Sequence, residues 1–243
     1  MYLKTGVKGV DELLDGKGIP EGYNVLVLGA PGSGKTTFGL QFLFEGAVNN
    51  ESGLYLSLDE TPERLVETAG TLGLDVQKYV RQGKIQMIDA SPLRLAPRSI
   101  KVGEQEIKRK EFALAALVSK LADSIKSFSV VRVVIDPIST LTLHYENVFE
   151  RRIALLDLMS LMVRNRCTTL LISELEDSSL SRRYQFEEFI ADGVILLTKM
   201  LSNNSFTRVF SIEKMRGIAH DTQSHPYRIM EGGIEVFPRE QIF

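Results

Sequence analysis

The chain has 243 residues, 44% of them hydrophobic and 25% charged, the balance of a folded globular protein long enough to bury a substantial core. Its 29 Lys and Arg against 31 Asp and Glu leave a formal charge of −2, which excludes the strong positive field of a protein built to gather nucleic acid. One cysteine, Cys167, excludes an intrachain disulfide, and the lack of a charged-then-apolar leader or an apolar run of about 18 residues reads as a soluble cytoplasmic protein.

Residues 23–28, Tyr-Asn-Val-Leu-Val-Leu, form the first apolar run of strand length. It leads into Gly29-Ala-Pro-Gly-Ser-Gly-Lys-Thr36, which fits Gly-x-x-x-x-Gly-Lys-Thr, the phosphate-binding loop of nucleoside triphosphatases. Glycines at 29, 32 and 34 give the backbone dihedrals that let successive N–H groups point at phosphate oxygens. Lys35 brings a positive charge to the β- and γ-phosphates. Thr36 offers a hydroxyl suited to Mg²⁺, and the helix starting there aims the positive end of its dipole at the anion. Phe38, Leu40, Phe42, Leu43 and Val48 carry that helix. Strand, loop and helix in this order favour a phosphate loop over a glycine-rich turn.

Further apolar, β-branched runs lie at 54–58, 85–88, 130–135, 168–172 and 194–197, alternating with helical patterns over 111–128 and 149–163. Continuous apolar strands between helices predict an α/β fold, a mainly parallel sheet with helices on both faces, in one domain over residues 1–243. Residues 91–110 carry two prolines, little periodicity and the run Lys108-Arg-Lys110, the pattern of a mobile surface loop. After 197 the texture changes, and 206–212, 225–230 and 233–237 read as antiparallel strands closing one end of the sheet.

Triphosphate hydrolysis needs a metal bridge, a group that orients or deprotonates water, and cations to take up charge as the γ-phosphoryl leaves. Asp136 ends the run 130–135, where a carboxylate can hold Mg²⁺ through its water shell. Asp59 and Glu60 follow the run 54–58 and reach the same carboxyl edge, where their mutual repulsion favours one as a proton acceptor. Helix capping before Thr61 and Pro62 is the alternative role for that pair. Lys214 and Arg216 are two apart on an expected strand end, so both face one side and can reach one anion. Far along the chain from the loop, they are candidates to be supplied by a neighbouring subunit.

The opening Lys4-Thr-Gly-Val-Lys-Gly-Val-Asp-Glu-Leu-Leu14, then Gly18-Ile-Pro-Glu-Gly22 and the phosphate loop, resembles the start of RecA/RadA-type ATPases. Asp59-Glu60 before Thr61-Pro62, and Lys214-Met-Arg-Gly-Ile-Ala-His220 with His225-Pro226, resemble the KaiC branch, and the likeness runs from about residue 3 to 238. It implies a RecA-like P-loop core that binds ATP and Mg²⁺ through Gly32, Ser33, Gly34, Lys35, Thr36 and Thr37. It implies Asp59 and Glu60 as catalytic carboxylates, with Glu60 activating water. Lys214 and Arg216 would approach the γ-phosphate held by the adjacent subunit, with Met215, Ile218, His220 and Glu231 lining the nucleotide. The implied assembly is a hexameric ring with ATP between subunits, whose hydrolysis drives or times a conformational change.

Two departures accompany the resemblance. The clock protein that names the family has two tandem ATPase domains, whereas this chain has room for one, and its acidic pair begins with Asp59 where glutamate is usual. Ser178, Ser179 and Ser181 raise an autokinase reading that competes with a plain solvated loop. A nucleotide-dependent switch with negligible hydrolysis and an unidentified protein partner is a second functional class, against which the intact acidic pair argues. The third is a DNA-handling relative using Arg151-Arg152, Arg164 with Arg166, and Arg182-Arg183, against which the charge balance argues. His144, His220 and His225 lack zinc-site spacing, and Cys167 reads as core packing.

Overall fold

The apolar runs form one sheet with both faces covered, as their lack of polar alternation requires. A computed structural model describes residues 1–90, 100–102, 105–107, 109–142, 145, 147–176, 182–202, 205–240 and 242. In chain order its elements begin with β1 (Tyr2–Leu3), α1 (Val10–Leu13), β2 (Ile19–Pro20), β3 (Asn24–Gly29), α2 (Lys35–Val48) and β4 (Ser52–Ser57). There follow α3 (Pro62–Thr71), α4 (Val76–Arg81), β5 (Ile85–Asp89), β6 (Ile100–Val102), β7 (Gln105–Ile107), α5 (Arg109–Ser127) and β8 (Val130–Asp136). The chain continues through α6 (Ile138–Thr142), α7 (Val148–Arg164), β9 (Thr168–Glu174), α8 (Phe186–Ile190) and β10 (Gly193–Ser202). It ends with β11 (Ser205–Met215), β12 (His225–Met230) and β13 (Gly233–Val236).

The main sheet has the order β13-β12-β11-β10-β3-β9-β8-β4-β5. From β10 to β5 every neighbouring pair is parallel, and β11, β12 and β13 add antiparallel strands at one end, as the sequence predicts. The pleat divides each strand between two cores. Val25 and Val27 of β3 face a cluster with α1, α2, α3 and α4, whereas Leu26 and Leu28 face one with α5, α6 and α7. Cys167 is packed in the second cluster, as predicted, and burial pushes its thiol up to about 11. No described helix is long and apolar enough to cross a membrane.

One expectation is corrected. The segment read as a loop over 91–110 contains an antiparallel ribbon, β6 with β7, and α5 already begins at Arg109. Three-residue strands pair through backbone groups and leave too short a stretch for a side-chain period to show. Residues 91–99 lie outside the described residues.

Helix α2 lies along the strand row Arg132, Val134, Asp136, which shares one face of β8. Two glycines permit the contact. A Cβ added at Gly39 would come 2.9 Å from Val134 Cγ1, and one at Gly46 would come 2.5 Å from Arg132 Cδ and Nε. The Arg132 side chain, with the residue only 1% exposed, donates from Nε to Glu51 at 2.5 Å and from Nη1 to the carbonyls of Lys4 at 2.6 Å and Phe42 at 3.0 Å. Its guanidinium also sits 4.6 Å from the centre of the Phe42 ring.

Gly46→Ala therefore sets two effects against each other: alanine gains about 1 kcal/mol of helix propensity, but overpacking against a buried guanidinium costs about 1–3 kcal/mol and disturbs its bonds. The expected net result is destabilisation, read as a lower urea midpoint with an unchanged slope. A midpoint raised by the substitution would show that Arg132 yields at no cost.

Candidate functional site

The phosphate loop joins β3 to α2. An added Cβ at Gly29 would lie 2.4 Å from Ser33 Oγ and 2.6 Å from the Leu197 carbonyl, so only glycine lets the loop fold back over β10. Gly34 has φ 96° and caps α2 without a side chain, and the first turn holds no acid. The leading N–H groups of α2 thus receive no side-chain cap, the condition for binding an anion there. Tyr227 donates its hydroxyl to the Ser33 carbonyl at 2.6 Å, and the side chains of Ile229 and Ile234 flank Gly34, so β12 and β13 brace the loop from outside. Gln41 ties the same hairpin to α2 by accepting from Ile234 N at 2.7 Å and donating to Gly232 O at 3.1 Å.

Lys35 Nζ donates to the carbonyls of Gly29 at 2.9 Å and Ala30 at 3.3 Å, which holds the ammonium at the loop. Burial pushes its pKa down, opposed by the charges of Glu174 and Asp136. Asp136 closes β8, as predicted, and its Oδ2 accepts from Thr36 Oγ1 at 2.8 Å and from the Tyr55 hydroxyl at 2.5 Å. Burial pushes the carboxyl up, while the Tyr55 and Thr36 hydrogen bonds and the Lys35 charge act the other way. Burial and the Asp136 charge hold the Tyr55 phenol well above its ordinary value, so it remains a donor. A buried carboxylate beside a threonine hydroxyl at a phosphate loop is a hard-oxygen set that fits Mg²⁺, because a cation offsets the desolvation of Asp136.

The acidic pair arrives at this edge because β4 runs parallel to β8, with Ser57 opposite Asp136. Ser57 Oγ donates to the Glu60 carbonyl at 2.5 Å, fixing the backbone where the pair begins. Asp59 accepts from Thr140 Oγ1 at 3.0 Å. The Glu60 side chain is 38% exposed and lies 3.4 Å from Arg64. Its charge acts on both Tyr55 and Asp136. The capping alternative belongs to neither carboxylate: Thr61 caps α3 by accepting from Arg64 N, with Pro62 in the first turn.

Lys214 and Arg216 do converge on one acceptor, at the opposite edge of the sheet. Both donate to the carbonyl of Phe189 in α8, Lys214 at 3.5 Å and Arg216 at 3.0 Å. Lys214 also donates to the Ala191 carbonyl at 2.6 Å, and Arg216 lies 3.5 Å from Asp192. Burial, then the Arg216 charge, pushes the Lys214 ammonium down. Register fixes their distance from the loop. Lys214 pairs with Val194, Val194 with Leu26, and Arg216 N donates to the carbonyl of Asp192, which itself bonds Asn24. From Asn24 to Gly29 is five steps of about 3.3 Å, so roughly 16 Å separate Arg216 from the start of the loop within one protomer.

Other expected residues fall elsewhere. Met215 is 3% exposed and packed under Gly193, so its side chain serves the core and only its backbone is left to line a ligand. Glu231 sits in the β12–β13 turn beside Gly73 rather than with the Lys214 and Arg216 cluster. Ile218 packs on the first core, and His220 Nδ1 lies 3.3 Å from the Ile218 carbonyl. Thr37 is buried in the first turn of α2. Arg182 is no surface phosphate contact, since it forms a bidentate pair with Glu188 at 2.7 and 2.8 Å. Ser178, Ser179, Ser181 and His144 lie outside the described residues, among which no cluster of metal-ligating side chains occurs.

Sequence reading missed Tyr55 and Glu174. Glu174 ends β9 as Asp136 ends β8, so the signal of a strand-terminal carboxylate was present at 174 too. Tyr55 gave no such signal, because a tyrosine inside an apolar strand reads as core until its hydroxyl is seen to meet Asp136.

Residues 3–241 match the family described as "ATPase: KaiC". The chain is 32% identical over 238 residues to the circadian clock oscillator protein KaiC of Synechococcus elongatus, covering 97% of this chain and 44% of that protein. It is 31% identical over 242 residues to the circadian clock protein KaiC3 of Synechocystis sp., covering 99% and 46%. The chain thus spans less than half the length of these curated relatives. A solved KaiC-like protein from the hyperthermophilic archaeon Pyrococcus horikoshii OT3 superposes with a TM-score of 0.82 at 33% identity, over 98% of this chain and 99% of that one. With its phosphate loop, strand-end carboxylates and cation-bearing tail on a shared RecA-like fold, the chain belongs to the KaiC family of ATPases.

Proposed function

We propose that the protein hydrolyses Mg·ATP at the contacts between subunits of a homo-oligomeric ring, expected to be a hexamer, and that turnover drives or times a conformational change. The observation that carries this reading is the separation of the chemistry over two edges. Loop, Thr36, Asp136, Asp59 and Glu60 share one edge, whereas Lys214 and Arg216 lie toward the other and bond carbonyls of the α8 segment rather than the loop. A head-to-tail ring brings the second edge of one subunit to the first edge of the next.

In this reading Gly32, Ser33, Gly34 and Thr37 cradle the phosphates, and Lys35 sets its charge against the β- and γ-oxygens. Thr36 and Asp136 hold the magnesium ion, which supplies charge neutralisation at the phosphates when bound. Glu60 takes the proton of the attacking water, and Asp59 assists. The neighbour's Lys214 and Arg216 stabilise charge as the γ-phosphoryl leaves. Ile218, His220 and the Met215 backbone line the nucleotide, with Glu231 approaching it from the β12–β13 turn.

Removing the proton acceptor tests the chemistry. Glu60→Gln is expected to leave ATP affinity unchanged while lowering phosphate release at least about 10²-fold. Unchanged release would remove Glu60 from its role, and no release from the unmodified protein would favour a nucleotide-holding switch.

Mixing tests the assembly. Lys35→Ala and Arg216→Ala proteins are each expected to be inactive alone. Mixed at equal amounts, they should regain activity at about a quarter of the interfaces, those pairing an intact loop with an intact Arg216. No recovery after verified subunit exchange would place Arg216 outside the trans site.

A further inference from the structure

We propose that the Tyr55 hydroxyl is a positioning group for the magnesium site, holding the Asp136 carboxylate in its metal-binding orientation. The inference rests on the reading of Thr36 and Asp136 as the magnesium pair. Tyr55 pairs with Val134 across β4 and β8, and Asp136 is two residues beyond Val134, so the ring and the carboxylate share the face under α2. Gly39 of α2 lies beside the ring, since a Cβ there would stand 3.6 Å from Tyr55 Cε2, in ordinary contact.

The phenol is fully buried, and its hydroxyl ends 2.5 Å from Asp136 Oδ2, the oxygen that Thr36 also meets. Phenylalanine would fill the same volume without desolvating a polar group, so core packing does not account for the hydroxyl. Two donors from separate elements, α2 and β4, fix the carboxylate on Oδ2. Among the described residues Oδ1 accepts no hydrogen bond, which leaves it for the metal's water shell. A threonine hydroxyl that ligates a cation through a lone pair still has its proton to donate, so with the metal in place Thr36 and Tyr55 together would hold Oδ2, Tyr55 from the side of β4 away from the metal's other ligand.

Tyr55→Phe separates this role from a structural one. The readout is the affinity for a fluorescent, N-methylanthraniloyl-labelled, non-hydrolysable ATP analogue, measured with excess Mg²⁺ and with EDTA. The variant should bind the analogue in EDTA within about twofold of the unmodified protein, while the strengthening by Mg²⁺ falls about tenfold. Tyr55→Met, which removes ring and hydroxyl together, should lose the same strengthening. Full Mg²⁺ strengthening in either folded variant, or equal loss of affinity with and without the metal, overturns the inference. An unmodified protein whose affinity ignores Mg²⁺ overturns the metal reading itself.

Discussion

Everything in the site hangs on helix α2 being pressed against β8. Arg132, Val134 and Asp136 run beneath it in one row, and Gly39 and Gly46 remove the side chains that would lift it away. The row is ordered against the helix dipole. The Asp136 carboxylate stands at the positive end, bonded to Thr36, and the Arg132 guanidinium stands near the negative end, bonded to the Phe42 carbonyl. The contact that packs the core also sets the height of the phosphate loop above the sheet edge, because the loop is the linker into α2.

Burying charge in this row is costly unless each group is partnered. Arg132 meets Glu51, two carbonyls and an aromatic face, so its charge has both a carboxylate partner and three hydrogen bonds. Asp136 is less well supplied. Two hydroxyls and the Lys35 charge only oppose the burial that raises its pKa, and a divalent cation is the natural remaining counter-charge. The contrast separates a structural ion pair from a group kept ready for a ligand.

The split between the two sheet edges follows from the same topology. Parallel strands deliver Gly29, Ser57, Asp136 and Glu174 to one side, whereas antiparallel β11 returns the chain so that Lys214 and Arg216 emerge on the other. A lone protomer satisfies these cations with carbonyls at the end of α8, those of Phe189 and Ala191. In the proposed ring the same cations would meet a stronger anion, and the completeness of the site would then depend on assembly.

Local chemistry made much of this legible in the chain itself. A glycine pattern, continuous apolar runs and strand-ending acids state their structural needs within a few residues, so the sheet, the loop, α2, α7, Asp136 and the acidic pair were all readable. What depended on distant partners was not. Tyr55 gains its meaning from Asp136, 81 positions away, and Met215 turned inward under Gly193. The separation of Lys214 from the loop required the strand register, which no local pattern encodes, because register is set by how whole strands pair and which faces they bury.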